Sequence, residues 1–261
     1  MKVVNEMEKK EEKVLSVLVV DDDVLNQRMM QLILSREGYN VLLASNGLEA
    51  VEVVTSKTFD VILMDLQMPI LDGVSASRKI REWENGGRHA YIIALTASYL
   101  PERGQELFDA GIDNYISKPF DLGHLRRILG YSQNKNKMTG EEPIAKEKFT
   151  PGVSFEVGLQ KLGMSEELLR ELLVEFVQDL PGKLDSLDDC YQRNEFELLS
   201  RLAHNLKGVS ANLGGIQLSM QAGILEDKVD SGPSGEIGNI INKVRLAADE
   251  FLKSASQYLA R

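Results

Sequence analysis

The chain is expected to fold as two units in succession: a doubly wound α/β sheet of five parallel strands, then an all-α antiparallel helical bundle. Three observations carry this expectation. Over residues 14–129 short apolar runs alternate with amphipathic stretches, over 131–150 the pattern lapses into polar residues, and beyond 150 only helical periodicities follow. Continuous apolar runs suit strands covered on both faces, and strands that alternate with helices build a parallel sheet. At 261 residues the chain is long enough for two separate cores.

Strands are expected at 14–20, 41–44, 61–64, 91–95 and 115–116, with helices between them at 24–37, 47–56, 74–83, 102–110 and 122–129. Asp23 stands where it can cap the first helix. In the second unit the helices are expected at 155–162, 166–192, 195–213, 216–229 and 237–259. Gly163, Asn194, Gly214 and Gly215 fall in the breaks, and such short connections imply antiparallel neighbours. Pro181 lies inside the second of these helices, which leaves a kink or a break open there. The division that follows is a charged segment at 1–13, an α/β domain at 14–130, a linker at 131–150 and a helical domain at 151–261.

Composition narrows the function classes. The net charge of −10 is shared evenly by the two halves, so neither carries the basic patch of a nucleic-acid reader. No apolar run approaches the roughly 20 residues of a membrane span. The mixed charge run at 5–13 is unlike a secretory signal, and the chain is expected in the cytoplasm. Cys190 is the single cysteine, which rules out an internal disulfide and a cysteine-cluster metal site; a buried, idle thiol is expected.

Chemistry concentrates at the carboxyl ends of the expected strands, where doubly wound sheets bind ligands. Asp21 and Asp22 end the first strand, Asp65 the third, Thr96 the fourth, and Lys118 the fifth. Three neighbouring carboxylates repel one another unless a cation neutralises them. A hard ion such as Mg²⁺ takes one or two carboxylates, waters and phosphate oxygens. With Mg²⁺ bound, Asp65 can attack phosphorus while Lys118 offsets charge on the transferring group and Thr96 donates its hydroxyl to a phosphate oxygen.

Residues 15–129 resemble a response-regulator receiver domain, which has the flavodoxin-like α/β fold. The stretches that carry the resemblance are Val-Leu-Val-Val-Asp-Asp-Asp (17–23), Asp-Val-Ile-Leu-Met-Asp-Leu-Gln-Met-Pro (60–69) with Asp72 and Gly73, Ala-Leu-Thr-Ala (94–97) and Tyr-Ile-Ser-Lys-Pro-Phe (115–120). The resemblance implies that Asp65 is the phosphoacceptor. It also implies that Asp22, with Asp21 beside it and the backbone carbonyl of Gln67, holds the metal, and that Thr96 and Lys118 hold the phosphoryl group. Tyr115 matches an aromatic switch position linked to Thr96; simple core packing is the alternative for it.

The second unit offers a different acceptor. On a helix over 195–213, Leu199, Leu202, Ala203, Leu206, Val209, Ser210 and Leu213 cluster on one side, and His204 falls opposite them, so it is expected to face water. Near neutral pH an imidazole is largely neutral and nucleophilic. Lys207 can pair with phosphate oxygens. Gly208 costs a helix interior about 0.5–1 kcal/mol relative to alanine, which makes sense if another protein approaches closely there. His89 and His124 have no such setting and read as surface or packing residues.

The stretch Ala-His-Asn-Leu-Lys-Gly (203–208), continuing Val-Ser-Ala-Asn-Leu-Gly, resembles the histidine phosphotransfer (HPt) domain over residues 150–260. A receiver followed by such a domain is the tail order of hybrid sensor histidine kinases. The two resemblances imply a two-component phosphorelay in which phosphate passes between Asp65 and His204. They imply an upstream histidine kinase, and a downstream response-regulator receiver docking on the His204 face. A parent protein of this kind can be membrane-anchored. The sequence shows no Gly-rich ATP-binding region, so the kinase that charges the chain is expected outside it. A linker of about 20 residues has a reach near 25 Å, which makes transfer within the chain plausible. A non-catalytic docking scaffold is the alternative function, and the intact set of Asp65, Lys118 and His204 counts against it.

Overall fold

The computed structural model describes residues 14–85, 87, 89–96, 104–118, 121–134, 152–232 and 234–261. The charged segment at 1–13, Ala97, Pro119, Phe120 and most of the linker expected at 131–150 lie outside the described residues.

The first unit contains β1 (Ser16–Val20), α1 (Val24–Arg36), β2 (Asn40–Ala44), α2 (Gly47–Ser56), β3 (Val61–Asp65), α3 (Gly73–Glu84), β4 (Tyr91–Thr96), α4 (Gly104–Asp109), β5 (Asn114–Ser117) and α5 (Leu122–Asn134). All strand pairs are parallel, in the order β2-β1-β3-β4-β5. Side chains alternate across this sheet, as the period of two requires. Val17, Val19, Val61, Leu63, Ile93, Leu95 and Ile116 face α1 and α5, whereas Leu18, Val20, Ile62, Met64, Ile92 and Ala94 face α2, α3 and α4. Burial on both faces explains why the strands read as unbroken apolar runs. The strand order reverses between β1 and β3, and the crevice beyond their carboxyl ends lies at that reversal. Asp23 caps α1 as expected, its Oδ1 accepting from the N–H groups of Leu25 and Asn26 at 3.0 and 3.1 Å.

The second unit holds α6 (Glu156–Lys161), α7 (Glu166–Gln192), α8 (Phe196–Asn212), α9 (Ile216–Asp230) and α10 (Ile237–Leu259). α7 packs on α8 and α10, and α9 closes the ring by packing on the same two helices. Phe176 and Phe251 meet edge to face at 5.3 Å in the centre. Each fully buried side chain of this size contributes roughly 1.5–3 kcal/mol. Pro181 does not break the helix pattern into two, because α7 runs through it from Glu166 to Gln192. Pro181 points to solvent while Leu180, Leu184 and Leu187 beside it are buried, so packing offsets the roughly 3 kcal/mol that an interior proline costs.

The two units share a core. α1 lies against α7 and α8, and one apolar cluster runs from Leu25, Met29 and Ile33 of α1 through Leu122 and Leu125 of α5 into Leu169, Leu173 and Phe176 of α7. The turn before α7 presses on the start of α5: a Cβ on Gly163, which has φ +57°, would stand 2.8 Å from Leu122 Cδ2.

Candidate functional site

β1 and β3 lie side by side, with Val20 opposite Met64, so Asp21, Asp22 and Asp65 emerge at the same end of neighbouring strands. Oxygens of these three carboxylates lie within 4.8 Å of one another. Lys118, just past β5, reaches across with Nζ 2.9 Å from Asp21 Oδ2 and 2.5 Å from Asp65 Oδ2. Thr96 ends β4 one residue beyond Leu95, the register partner of Asp65, and its carbonyl accepts the Lys118 N–H at 2.6 Å. The Gln67 N–H donates to Asp65 Oδ1 at 3.1 Å, which keeps Gln67 beside the acceptor. Tyr115 lies half-buried in β5 against the α2–α4 side of the sheet. Gly73 is required where it stands: a Cβ there would come 2.1 Å from the Asp65 carbonyl oxygen.

The charges do not balance. Burial pushes the Asp21 carboxyl up to about 7, and Asp65 adds to that rise against the pull of Lys118. Burial likewise raises Asp22, offset in part by its bond from Asn205. Burial would also raise Asp65, but Lys118 and His204 outweigh it and hold the carboxyl below its ordinary range. Burial opposes the charge on Lys118, yet Asp21 and Asp65 raise its affinity for the proton above the usual lysine value. A single ammonium therefore satisfies Asp65 and leaves Asp21 and Asp22 short of positive charge. Asp22 Oδ1 is buried with no hydrogen-bond partner among the described residues. An all-oxygen cluster with an unspent carboxylate oxygen fits a hard divalent cation such as Mg²⁺.

His204 is not where the periodicity put it. It is buried, with only 4% of its surface exposed, and its expected water-facing side is covered. Two neighbours cover it. On one side α9 supplies Glu226, whose Oε1 lies 2.8 Å from His204 Nδ1 and whose Oε2 lies 3.1 Å from Lys207 Nζ. On the other side stands the α/β unit of the same chain, with His204 Nε2 4.0 Å from Asp65 Oδ1. That distance is beyond a hydrogen bond, and Nε2 has no hydrogen-bond partner among the described residues. Gly208 is buried against Lys118, where a Cβ would stand 3.6 Å from Lys118 Cδ. The close approach expected at Gly208 is thus made by this chain's own first unit.

An ionised carboxylate only accepts hydrogen bonds, so the proton between His204 and Glu226 belongs to Nδ1, and Nε2 is the ring nitrogen nearer Asp65. Burial would raise Glu226, but its bonds to His204 and Lys207 hold the carboxyl below its usual range. The sequence reading missed Glu226, although a signal was present: it falls on the stripe of Ala222, Leu225 and Val229 that α9 buries. It also missed Asn205, whose Nδ2 donates to Asp22 Oδ2 at 3.2 Å, and Arg201, whose Nε lies 3.9 Å from the same oxygen. No linear pattern reports a contact made between two domains. His124 is a buried packing residue, His89 is exposed beside Glu84 and Asp113, and Cys190 is a buried free thiol.

Comparison with known proteins finds a match for each of the two units. Residues 17–130 match the response regulator receiver domain, and residues 171–257 match the Hpt domain. Hybrid signal transduction histidine kinase E of Dictyostelium discoideum is 40% identical over 117 residues, covering 44% of this chain and 7% of that protein. Sensor histidine kinase GacS of Pseudomonas protegens is 29% identical over 77% of this chain and 23% of its own length. Sensor histidine kinase AruS of Pseudomonas aeruginosa is 30% identical over 81% of this chain and 21% of its own length. The chain thus spans less than a quarter of each of these relatives. Among solved structures, the receiver domain of sensor histidine kinase PA1611 from Pseudomonas aeruginosa is 39% identical, covering 47% of this chain and 99% of that one with a TM-score of 0.43. No helix among the described residues is long and apolar enough to cross a membrane. The chain carries a response regulator receiver domain at residues 17–130, followed by an Hpt domain at residues 171–257.

Proposed function

We propose that this chain passes a phosphoryl group between Asp65 and His204 as the tail of a hybrid sensor histidine kinase in a two-component phosphorelay. The observation that carries the reading is the 4.0 Å approach of an unpartnered His204 Nε2 to Asp65 Oδ1. In this role Asp65 accepts phosphate from an upstream histidine kinase, and His204 takes it onward to a downstream receiver or returns it. Transfer forms a P–N bond at Nε2 as the P–O bond at Asp65 breaks, and the reverse step restores both. The Nδ1 proton stays in place throughout, donated to Glu226, so no proton need leave the ring.

Asp21, Asp22, Asp65 and the Gln67 carbonyl would hold a Mg²⁺ ion, whose charge would stabilise the oxygens of the group in flight. Lys118 would supply a second positive charge, and Thr96 would donate its hydroxyl to a phosphoryl oxygen. Tyr115 packs one residue from the sheet position that faces α1 and follows the Thr96 hydroxyl as a switch. On the HPt side Lys207 offsets phosphate charge while Gly208 lets Lys118 come close.

A radiolabelled transfer assay with the cognate kinase tests the reading. Wild type should carry label on both Asp65 and His204 with Mg²⁺, and chelation should abolish both. An Asp65→Asn variant should leave His204 unlabelled. Absence of label on the wild type would end the relay reading, and a labelled His204 in Asp65→Asn would reverse the proposed order.

A further inference from the structure

The contact between α1 and α7 is charged in a patterned way. Glu171, Glu175, Asp179 and Lys183 follow one another at steps of four along α7, so they form one stripe on its surface. α1 runs antiparallel to that stripe. At one end Lys183 Nζ lies 2.8 Å from Asp23 Oδ2. Further along, Arg28 pairs with Glu171, and its Nη1 lies 3.1 Å from Glu175. At the far end Arg36 Nη1 donates to the Ser165 hydroxyl at 2.8 Å. Acid on α1 meets base on α7, and base meets acid. A slip of one helical turn, about 5.4 Å, toward Ser165 would set Asp23 against Asp179; the opposite slip would carry it past Lys183. Either slip is larger than the 4.0 Å between His204 Nε2 and Asp65 Oδ1.

We infer that the α7 stripe is a docking code, and that it selects this chain's own receiver as the partner of His204 and sets the register in which the two acceptors face each other. The inference rests on the relay reading for its purpose, but not for its test. Arg28, Glu171 and Glu175 lie outside the acid pocket and the His204 cluster, and Arg28 and Glu171 are about half exposed. Their charges can therefore be reversed without touching either acceptor. Because Nε2 is covered only while the units are docked, the rate at which diethyl pyrocarbonate modifies His204 reports the undocked fraction even when that fraction is small.

The experiment is carbethoxylation of His204 in the full chain, followed by peptide mapping. Arg28→Glu turns two attractions into repulsions and should speed modification about tenfold at low ionic strength, with the gap narrowing as salt is added. Adding Glu171→Arg and Glu175→Arg to Arg28→Glu recreates the pairs with swapped signs and should return the rate toward wild type. An Arg28→Glu chain that reacts at the wild-type rate overturns the inference, as does a swapped chain that stays as reactive as Arg28→Glu. Failure of the relay reading looks different: the same variants follow the pattern above, but acetyl phosphate with Mg²⁺ never brings phosphate to His204 in the wild type.

Discussion

Replacing Glu226 with alanine should slow transfer from Asp65 to His204 without undoing the bundle. Its carboxylate accepts from His204 Nδ1 at 2.8 Å and from Lys207 at 3.1 Å, and the side chains of both His204 and Glu226 are 5% exposed. Alanine leaves the Nδ1 proton without an acceptor and frees the ring to turn or to place its proton on Nε2, where it blocks attack. A hydrogen bond to a charged group contributes about 1.5–3 kcal/mol, and at about 1.36 kcal/mol per decade the rate should fall roughly 10- to 150-fold. Glu226→Gln keeps an acceptor oxygen for Nδ1 and should lose less than about tenfold on the same scale. The assay loads Asp65 with acetyl phosphate and Mg²⁺, then follows phosphate by its chemistry: the acyl phosphate is lost in alkali, whereas the phosphohistidine survives alkali and is cleaved by acid. A Glu226→Ala chain with unaltered helix content that transfers within about twofold of wild type would refute the tautomer argument, since that loss is below one hydrogen bond.

Gly208 separates alanine from larger residues. A Cβ there makes ordinary contact with Lys118 at 3.6 Å, so Gly208→Ala should transfer normally and gain about 0.5–1 kcal/mol of helix stability, read as a higher Tm. Gly208→Val has no room for its methyl groups in the docked state, and its transfer rate should drop by at least about tenfold, as expected for even an ångström of misplacement. Stability against pH tests Glu226 a second way. Its folded pKa is held below the ordinary 4.5, so the stability it contributes is complete above that value and is lost as pH falls through the lower folded one. Thermal unfolding should therefore show a steeper acid loss in wild type than in Glu226→Gln; equal slopes would show that the carboxylate is not held low.

The strands and the acid pocket were legible because both are local. Val17 to Val20 and Val61 to Met64 are buried on two faces, and the acids stand directly at the ends of those runs. The far side of α8 was not legible. Periodicity locates the side with the most apolar residues, and on α8 that is the bundle core; His204 is buried as well, against Glu226, and so is Gly208, against the receiver. A polar or small residue buried against another domain looks the same in sequence as one facing water. The contact between Asn205 and Asp22 spans 183 positions and leaves no local trace. The break left open at Pro181 does not occur, because the leucines that flank it on the buried side outweigh its local cost.

The sheet itself divides labour between its two faces. Ile116 joins the apolar layer that α1 and α5 share with the bundle, whereas its neighbour Tyr115 belongs to the layer under α2, α3 and α4. Among the described residues, no buried apolar side chain of the bundle joins the layer that holds Tyr115. The sheet thus holds two packed layers apart by one thickness of backbone, with the bundle resting on the layer of Ile116 and α4 lying over the layer of Tyr115.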